Sequence, residues 1–186
     1  MENRLVWLDL EMTGLDPDVD VILEIAVLIT DPELNILVEG PVFAIHHPES
    51  ALERMDDWNK NQHGKSGLIE RVRSSQEDMP SAETKTLEFL AGHIKAGISP
   101  LCGNSIWQDR RFLARYMPRL EKFFHYRVVD VSSVKILALN WYAGLVPFKK
   151  SEAHLALSDI RDSVAELRYY REKIFLPSPS PIPASA

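Results

Sequence analysis

The chain has 186 residues, 45% of them hydrophobic and 26% charged, with a formal net charge of −6. Such a length fits one domain with a sizeable core, and the composition excludes disordered and fibrous classes for most of the chain. The acidic balance argues against broad electrostatic binding of long nucleic acid, but a short phosphorylated substrate met through a bound cation remains compatible with it.

Leu5 to Met12 opens the chain as an apolar run of strand length that ends in carboxylates. Side chains alternate faces along a strand, so Leu5, Trp7, Asp9 and Glu11 share one face and Val6, Leu8, Leu10 and Met12 the other. Two like charges on one face of a mostly buried strand repel and lose hydration, a cost that a divalent cation offsets. Asp9 and Glu11 are therefore candidate metal ligands, and Thr13-Gly14 marks the break from strand to loop. Asp16-Pro17-Asp18 reads as a turn and Val21 to Thr30 as a second strand, its apolar pattern broken by Glu24. Asp31 to Asn35 connects to Ile36-Leu37-Val38, and Pro41 permits a bend before Val42 to Ile45, giving an antiparallel meander.

From Pro48 to Ile98 the pattern turns helical, over Ala51 to Trp58, Leu68 to Val72, and at Leu87, Leu90, Ala91 and Ile94. Asp78 or Ser81 caps the last of these helices, with Pro80 in its first turn. Pro100 to Asn104 reads as a short strand, then a helix from about Gln108 to Tyr116 that Pro118 interrupts. Tyr126 to Val131 is a further strand, Ser132-Ser133 caps a helix through Leu139, and Leu155 to Phe175 is a long amphipathic helix. The alternation implies an α/β domain over residues 1–176 with a mixed sheet flanked by helices. Residues 177–186 are expected to form a disordered Pro/Ser tail.

The single cysteine, Cys102, cannot form an intramolecular disulfide, so a reducing, cytoplasmic setting is the expectation. No stretch approaches the ~20 apolar residues of a membrane span, and the first apolar run is too short for a signal peptide. The chain reads as soluble and unprocessed.

Further acidic residues fall where ligands are commonly placed. Asp109 lies at a strand-to-helix junction, a usual ligand position in α/β sheets, although the helix dipole alone also favours an early Asp. Asp159 sits early in the last helix, and Asp162 and Glu166 continue a stripe that reads as its solvated face. His154, five residues before Asp159, is off that residue's helical face by ~140° and reaches the same site only from the preceding loop or first turn. His46, His47, His93 and His125 show no zinc-type spacing. Asp16, Asp18 and Asp20 resemble a calcium loop only loosely, since Val21 and Val27 stand where its glycine and last glutamate belong.

Three segments resemble the exonuclease motifs of the DEDDh superfamily: Asp9-Leu10-Glu11-Met12-Thr13-Gly14-Leu15, Gly103 through Phe112 including Asn104-Ser105 and Asp109, and His154 through Arg161 including Asp159. Met55 to Asn59, Phe124 to Arg127 and Ser163 to Glu172 are similar to the oligoribonuclease family in particular. This resemblance implies a ribonuclease H-like fold and 3′-to-5′ hydrolysis of very short RNA, chiefly dinucleotides, to nucleoside 5′-monophosphates. On that basis Asp9, Glu11, Asp109 and Asp159 hold two divalent cations, Mg²⁺ or Mn²⁺, and His154 is the general base. Leu15 wedges between the bases and Trp58 stacks beside the 3′ nucleotide. His63, Ser105, Arg127 and Ser132 cap the terminal 5′ phosphate, with Tyr126 supplied by the partner subunit of a homodimer. Trp107 departs from the glycine of bacterial relatives, and Asn140 to Ser151 matches no strong motif. Competing expectations are a proofreading-type DNA exonuclease of the same superfamily and a silent Mg²⁺-holding receiver-like module; the opening meander disfavours the second.

Overall fold

The central strand is β1 (Leu5–Met12), to which β2 (Ile22–Thr30) pairs antiparallel and β3 (Ile36–Ala44) pairs antiparallel in turn. On its other edge β4 (Leu101–Gly103) runs parallel to β1, and β5 (Val128–Asp130) parallel to β4, giving a five-stranded mixed sheet in the order β3-β2-β1-β4-β5. The structure, a computed structural model, describes residues 4–150 and 155–176. His154 and the Pro/Ser segment 177–186 thus lie outside the described residues.

Ile36 to Ala44 is one strand rather than two, its pairing with β2 irregular between Ala26 and Leu28, opposite Gly40-Pro41, and between Ile29 and Thr30. Its place at the sheet edge explains this, because proline's missing N–H need not interrupt a ladder there. β2, by contrast, is buried along its whole length, including Glu24.

The helices are α1 (Glu49–Glu53), α2 (Asp57–Lys65), α3 (Leu68–Ser74), α4 (Met79–Ala91), α5 (Ile106–Tyr116), α6 (Pro118–Phe123), α7 (Val131–Trp141) and α8 (Ala156–Ile174). Asp78 caps α4, accepting from the Ser81 N–H at 2.8 Å. Pro118 begins α6 as well as ending α5, its fixed φ suiting a first helical position. α7 is capped by Asp130, which accepts from Ser132 N–H at 2.9 Å, so the helix starts earlier than the expected serine cap.

Two layers of core cover the sheet. Val6, Leu8 and Leu10 of β1 pack with Ala82, Leu90, Phe112, Leu113 and Leu120 from α4, α5 and α6. On the opposite face Trp7 packs with Ala26, Leu28 and Cys102 against Ala156, Ile160 and Val164 of α8. Each of the Val, Leu, Ile and Phe side chains among them contributes about 1.5–3 kcal/mol on burial. Strand alternation then has a fixed consequence: the face of β1 that carries Trp7 against α8 presents Asp9 and Glu11 to the same helix. Gly103 ends β4 under tight packing, since a Cβ there would lie 3.0 Å from the Leu8 carbonyl and 2.9 Å from Ile106 Cδ1.

Candidate active site and metal centre

Carboxylate oxygens of Asp9, Glu11 and Asp159 lie within 4.8 Å of one another, the one cluster of potential metal ligands among the described residues. Asp9 and Glu11 come from the end of β1, while Asp159 comes from the first turn of α8, where it also favours the helix dipole. The donor set is oxygen only, which suits hard divalent cations such as Mg²⁺ or Mn²⁺.

Asp109 approaches from the other side of β1. β4 stops at Gly103, and beyond that point the Leu10 N–H donates to Asp109 Oδ1 at 2.9 Å instead of to a strand neighbour. Asp109 is buried, and burial pushes its carboxyl up to about 7 in spite of that hydrogen bond. Burial raises Asp9 well above the ordinary carboxylate range, reinforced by the charges of Asp109, Glu11 and Asp159. Burial likewise pushes Glu11 up to about 8, helped by Asp159, Glu24 and Asp109 and opposed by Arg71. Three carboxyl groups held at such values form a site whose negative charge is costly without a cation.

Next to this centre sits His63, on α2. It is buried, with Nε2 at 2.9 Å from the Met12 carbonyl and Nδ1 at 3.8 Å from the Glu11 carboxylate. The fold therefore places it beside a carboxylate of the oxygen cluster. Ser105 and Ser132 form a separate pair, with their hydroxyl oxygens 3.1 Å apart and the Ser105 N–H donating to both Ser132 Oγ and Asp130 Oδ1 at 3.0 Å. Ser105 occupies the left-handed region at φ 50°, which turns the chain from β4 into α5. Arg127 stacks on the exposed Tyr126 ring, and Arg110 holds that loop by donating to the Tyr126 and His125 carbonyls at 2.8 and 3.2 Å.

Leu15 and Trp58 are both exposed, at 70% and 66%, which rules out the ordinary core role that an apolar residue on a helix or turn would suggest. Leu15 is nonetheless fixed at its backbone. Gln108 Nε2 donates to the Leu15 carbonyl at 2.5 Å, and Tyr116 OH donates to the carbonyls of Pro17 and Asp20. The Asp20 carboxylate accepts from Thr13 Oγ1 and Asp16 N and packs so closely on Gly14 that a Cβ there would overlap it. Gln108, Tyr116 and Asp20 escaped the sequence reading because their role is to hold a loop of remote sequence position; the Asp16 to Asp20 acids serve turn geometry rather than a second ion cluster.

Glu166 departs most from expectation. Read from sequence as part of a solvated stripe, it is fully buried, and it carries ion pairs to Lys135 and Lys150. Trp107 is 55% exposed with the Arg111 guanidinium 5.8 Å from its ring, on the side of α5 opposite the inward-facing Asp109.

The exonuclease family model matches residues 6–167. An oligoribonuclease of Shewanella loihica is 60% identical over 175 residues, covering 94% of this chain and 97% of the relative. One from Alkalilimnicola ehrlichii is 61% identical over 171 residues, covering 91% and 89%. The chain belongs to the oligoribonuclease family. As a member of it, the chain is an exonuclease-type hydrolase. Its fold is ribonuclease H-like and recurs in Escherichia coli exonuclease I, in a complex with single-stranded DNA (TM-score 0.72, 15% identity, 94% of this chain) and in one with a dA16 oligonucleotide (TM-score 0.73, 14% identity, 93% of this chain). This oligoribonuclease-family chain spans 41% and 42% of those exonuclease I chains, so the likeness concerns the shared fold alone.

Proposed function

We propose that the protein is a 3′-to-5′ exoribonuclease that hydrolyses very short RNA, chiefly dinucleotides, to nucleoside 5′-monophosphates with two divalent cations, Mg²⁺ or Mn²⁺. The observation that carries this reading is the meeting of Asp9, Glu11 and Asp159 within 4.8 Å, with Asp109 buried against the same strand. Asp9, Glu11, Asp109 and Asp159 would hold the two ions, which would supply activation of the attacking water and charge stabilisation of the leaving 3′ oxygen. His154 accepts the proton of the attacking water, a task for which an imidazole with a pKa of ~6.5 is suited near neutral pH.

Leu15 and Trp58 supply apolar surface for the bases, and their exposure supports that role. Ser105, Ser132 and Arg127 meet the terminal 5′ phosphate, with His63 contributing from beside Glu11 and Tyr126 from the partner subunit. Such a closed end selects length, because a longer chain collides with it. The homodimer has support in α7 and the residue that ends it, which expose Ile136, Leu137, Trp141 and Tyr142, an apolar face of the kind that marks protein contacts. A cytoplasmic setting belongs to the same reading; among the described residues no helix is long and apolar enough to cross a membrane.

The test is an activity profile against labelled RNA of graded length with Mn²⁺. Metal-dependent release of monophosphates, fastest on dinucleotides, is expected; equal rates on long RNA, or on matched DNA dinucleotides, overturn the length or sugar preference respectively. Light scattering of the wild type and Ile136→Lys is expected to give dimer and monomer.

A further inference from the structure

Glu166 lies on α8 seven residues beyond Asp159, nearly in line with it at ~100° per residue, yet it is not part of the ion cluster. A fully buried carboxylate needs counter-charge and hydrogen bonds to be tolerated. Counter-charge reaches both oxygens, Lys135 Nζ of α7 at 3.6 Å from Oε1 and Lys150 Nζ at 3.4 Å from Oε2, while the hydrogen bond falls on Oε2 alone, from Asn104 Nδ2 at 3.1 Å.

The bond to Asn104 sets a direction for everything beyond it. The Ser163 hydroxyl spends its proton on the Asp159 carbonyl at 2.8 Å, so toward Asn104 it accepts, receiving Nδ2 at 2.8 Å. A carboxylate paired with ammonium groups also accepts and cannot donate. Both partners on α8 therefore demand the NH₂ side of the Asn104 amide. Its Oδ1 must then face Ser132, whose hydroxyl donates to it at 3.0 Å. With its proton so placed, Ser132 Oγ receives the Ser105 N–H at 3.0 Å and faces the Ser105 hydroxyl at 3.1 Å. The oxygen positions of the serine pair are thus set by a chain of bonds that starts at Glu166 and Ser163 on α8.

We propose that Glu166 is a positioning residue for recognition of the substrate's terminal 5′ phosphate, acting through Asn104 on Ser132 and Ser105. This rests on the reading above in which that serine pair meets the phosphate. Glu166→Gln keeps the shape but removes the charge, and its amide can donate. Asn104 is then held in its orientation by Ser163 alone, and the order imposed on the serine hydroxyls weakens. The lysines are only partly buried and recover hydration, so the fold is retained.

The experiment measures KM and kcat of wild type, Glu166→Gln, Ser132→Ala and the double variant on an RNA dinucleotide with a 5′ phosphate and on the same dinucleotide with a 5′ hydroxyl. For Glu166→Gln, KM for the phosphorylated substrate is expected to rise about tenfold with kcat within about twofold, and the hydroxyl substrate to change less than about twofold, the size expected for loss of one or two oriented hydrogen bonds. In the Ser132→Ala background Glu166→Gln adds no further loss. Equal loss on both substrates, accompanied by a lowered Tm, overturns the proposal in favour of a structural role. A Ser132→Ala effect without a Glu166→Gln effect also overturns it, while leaving the phosphate reading standing. No Ser132→Ala effect on the phosphate preference sinks the phosphate reading itself.

Discussion

Two buried glutamates outside the oxygen cluster, Glu24 and Glu166, are given their counter-charge by the chain, whereas the carboxylates at the end of β1 are set mainly against one another. Glu24 faces Glu11 directly across β1 and β2, but Arg71 of α3 reaches it at 2.6 Å. Glu166 is met by Lys135 and Lys150. Asp9 and Glu11 instead crowd Asp159, and burial with these neighbours raises both. Identical chemistry in one core thus serves two ends: where the chain provides the cation the acid is architectural, and where it assembles an oxygen cluster the compensating charge is left to a ligand.

The sharpest way to break this contrast is Asp109→Ala. It should lower turnover by about three orders of magnitude or more, the scale at which a lost metal ligand acts, while giving up only about 1 kcal/mol for the Leu10 hydrogen bond. Monophosphate release with Mn²⁺ and a thermal melt measure the two effects; retained activity would remove Asp109 from the ion site.

Next in size is the metal itself. In the metal-free protein Glu11 and Asp109 keep their protons to about 8 and about 7, against 4.5 and 3.8 ordinarily. Between those limits the folded state binds more protons than the unfolded chain, so stability is fully present below about pH 4 and is lost as pH rises toward 8. Tm without metal should fall from pH 5 to pH 8. Added Mn²⁺ should restore it most at pH 8, by about 2.7 kcal/mol at a hundredfold excess over Kd. A Tm that ignores Mn²⁺ at pH 8 contradicts a cation site.

Arg71→Ala tests the other side of the comparison by leaving Glu24 buried without its guanidinium. Because Arg71 is 40% exposed, the cost should be about 2 kcal/mol, below that of a wholly buried pair, and Mn²⁺ should not correct it. A denaturant melt reads this directly. Trp58→Ala, on the exposed rim, is the smallest: KM for a dinucleotide should rise about tenfold, in line with 1–3 kcal/mol per stacked base, with Tm unchanged. A fall in Tm would assign Trp58 to the fold.

How much of the site was legible follows from how local each signal is. Asp9 and Glu11 share a face because strands alternate, so their pairing could be read from the eight residues Leu5 to Met12. Asp109 and Asp159 could be placed at helix starts by spacing, and tied to the same centre only through the resemblance to known motifs. Glu166 was misread as solvated because helical periodicity reports which residues share a face, and not whether that face meets water or α7. His63 carries no local mark of its burial beside Glu11, nor Gln108 of its hold on Leu15.

The sequence by itself determined the order of strands and helices, the two-faced character of β1 and the acidic end on which the proposed chemistry rests. These are properties of the chain's periodicity and act over a few residues. Only the tertiary structure decided which acids meet each other and which meet a lysine or arginine. That choice depends on packing α8, α7 and α3 against particular positions of the sheet, where burial turns distance between charges into energy.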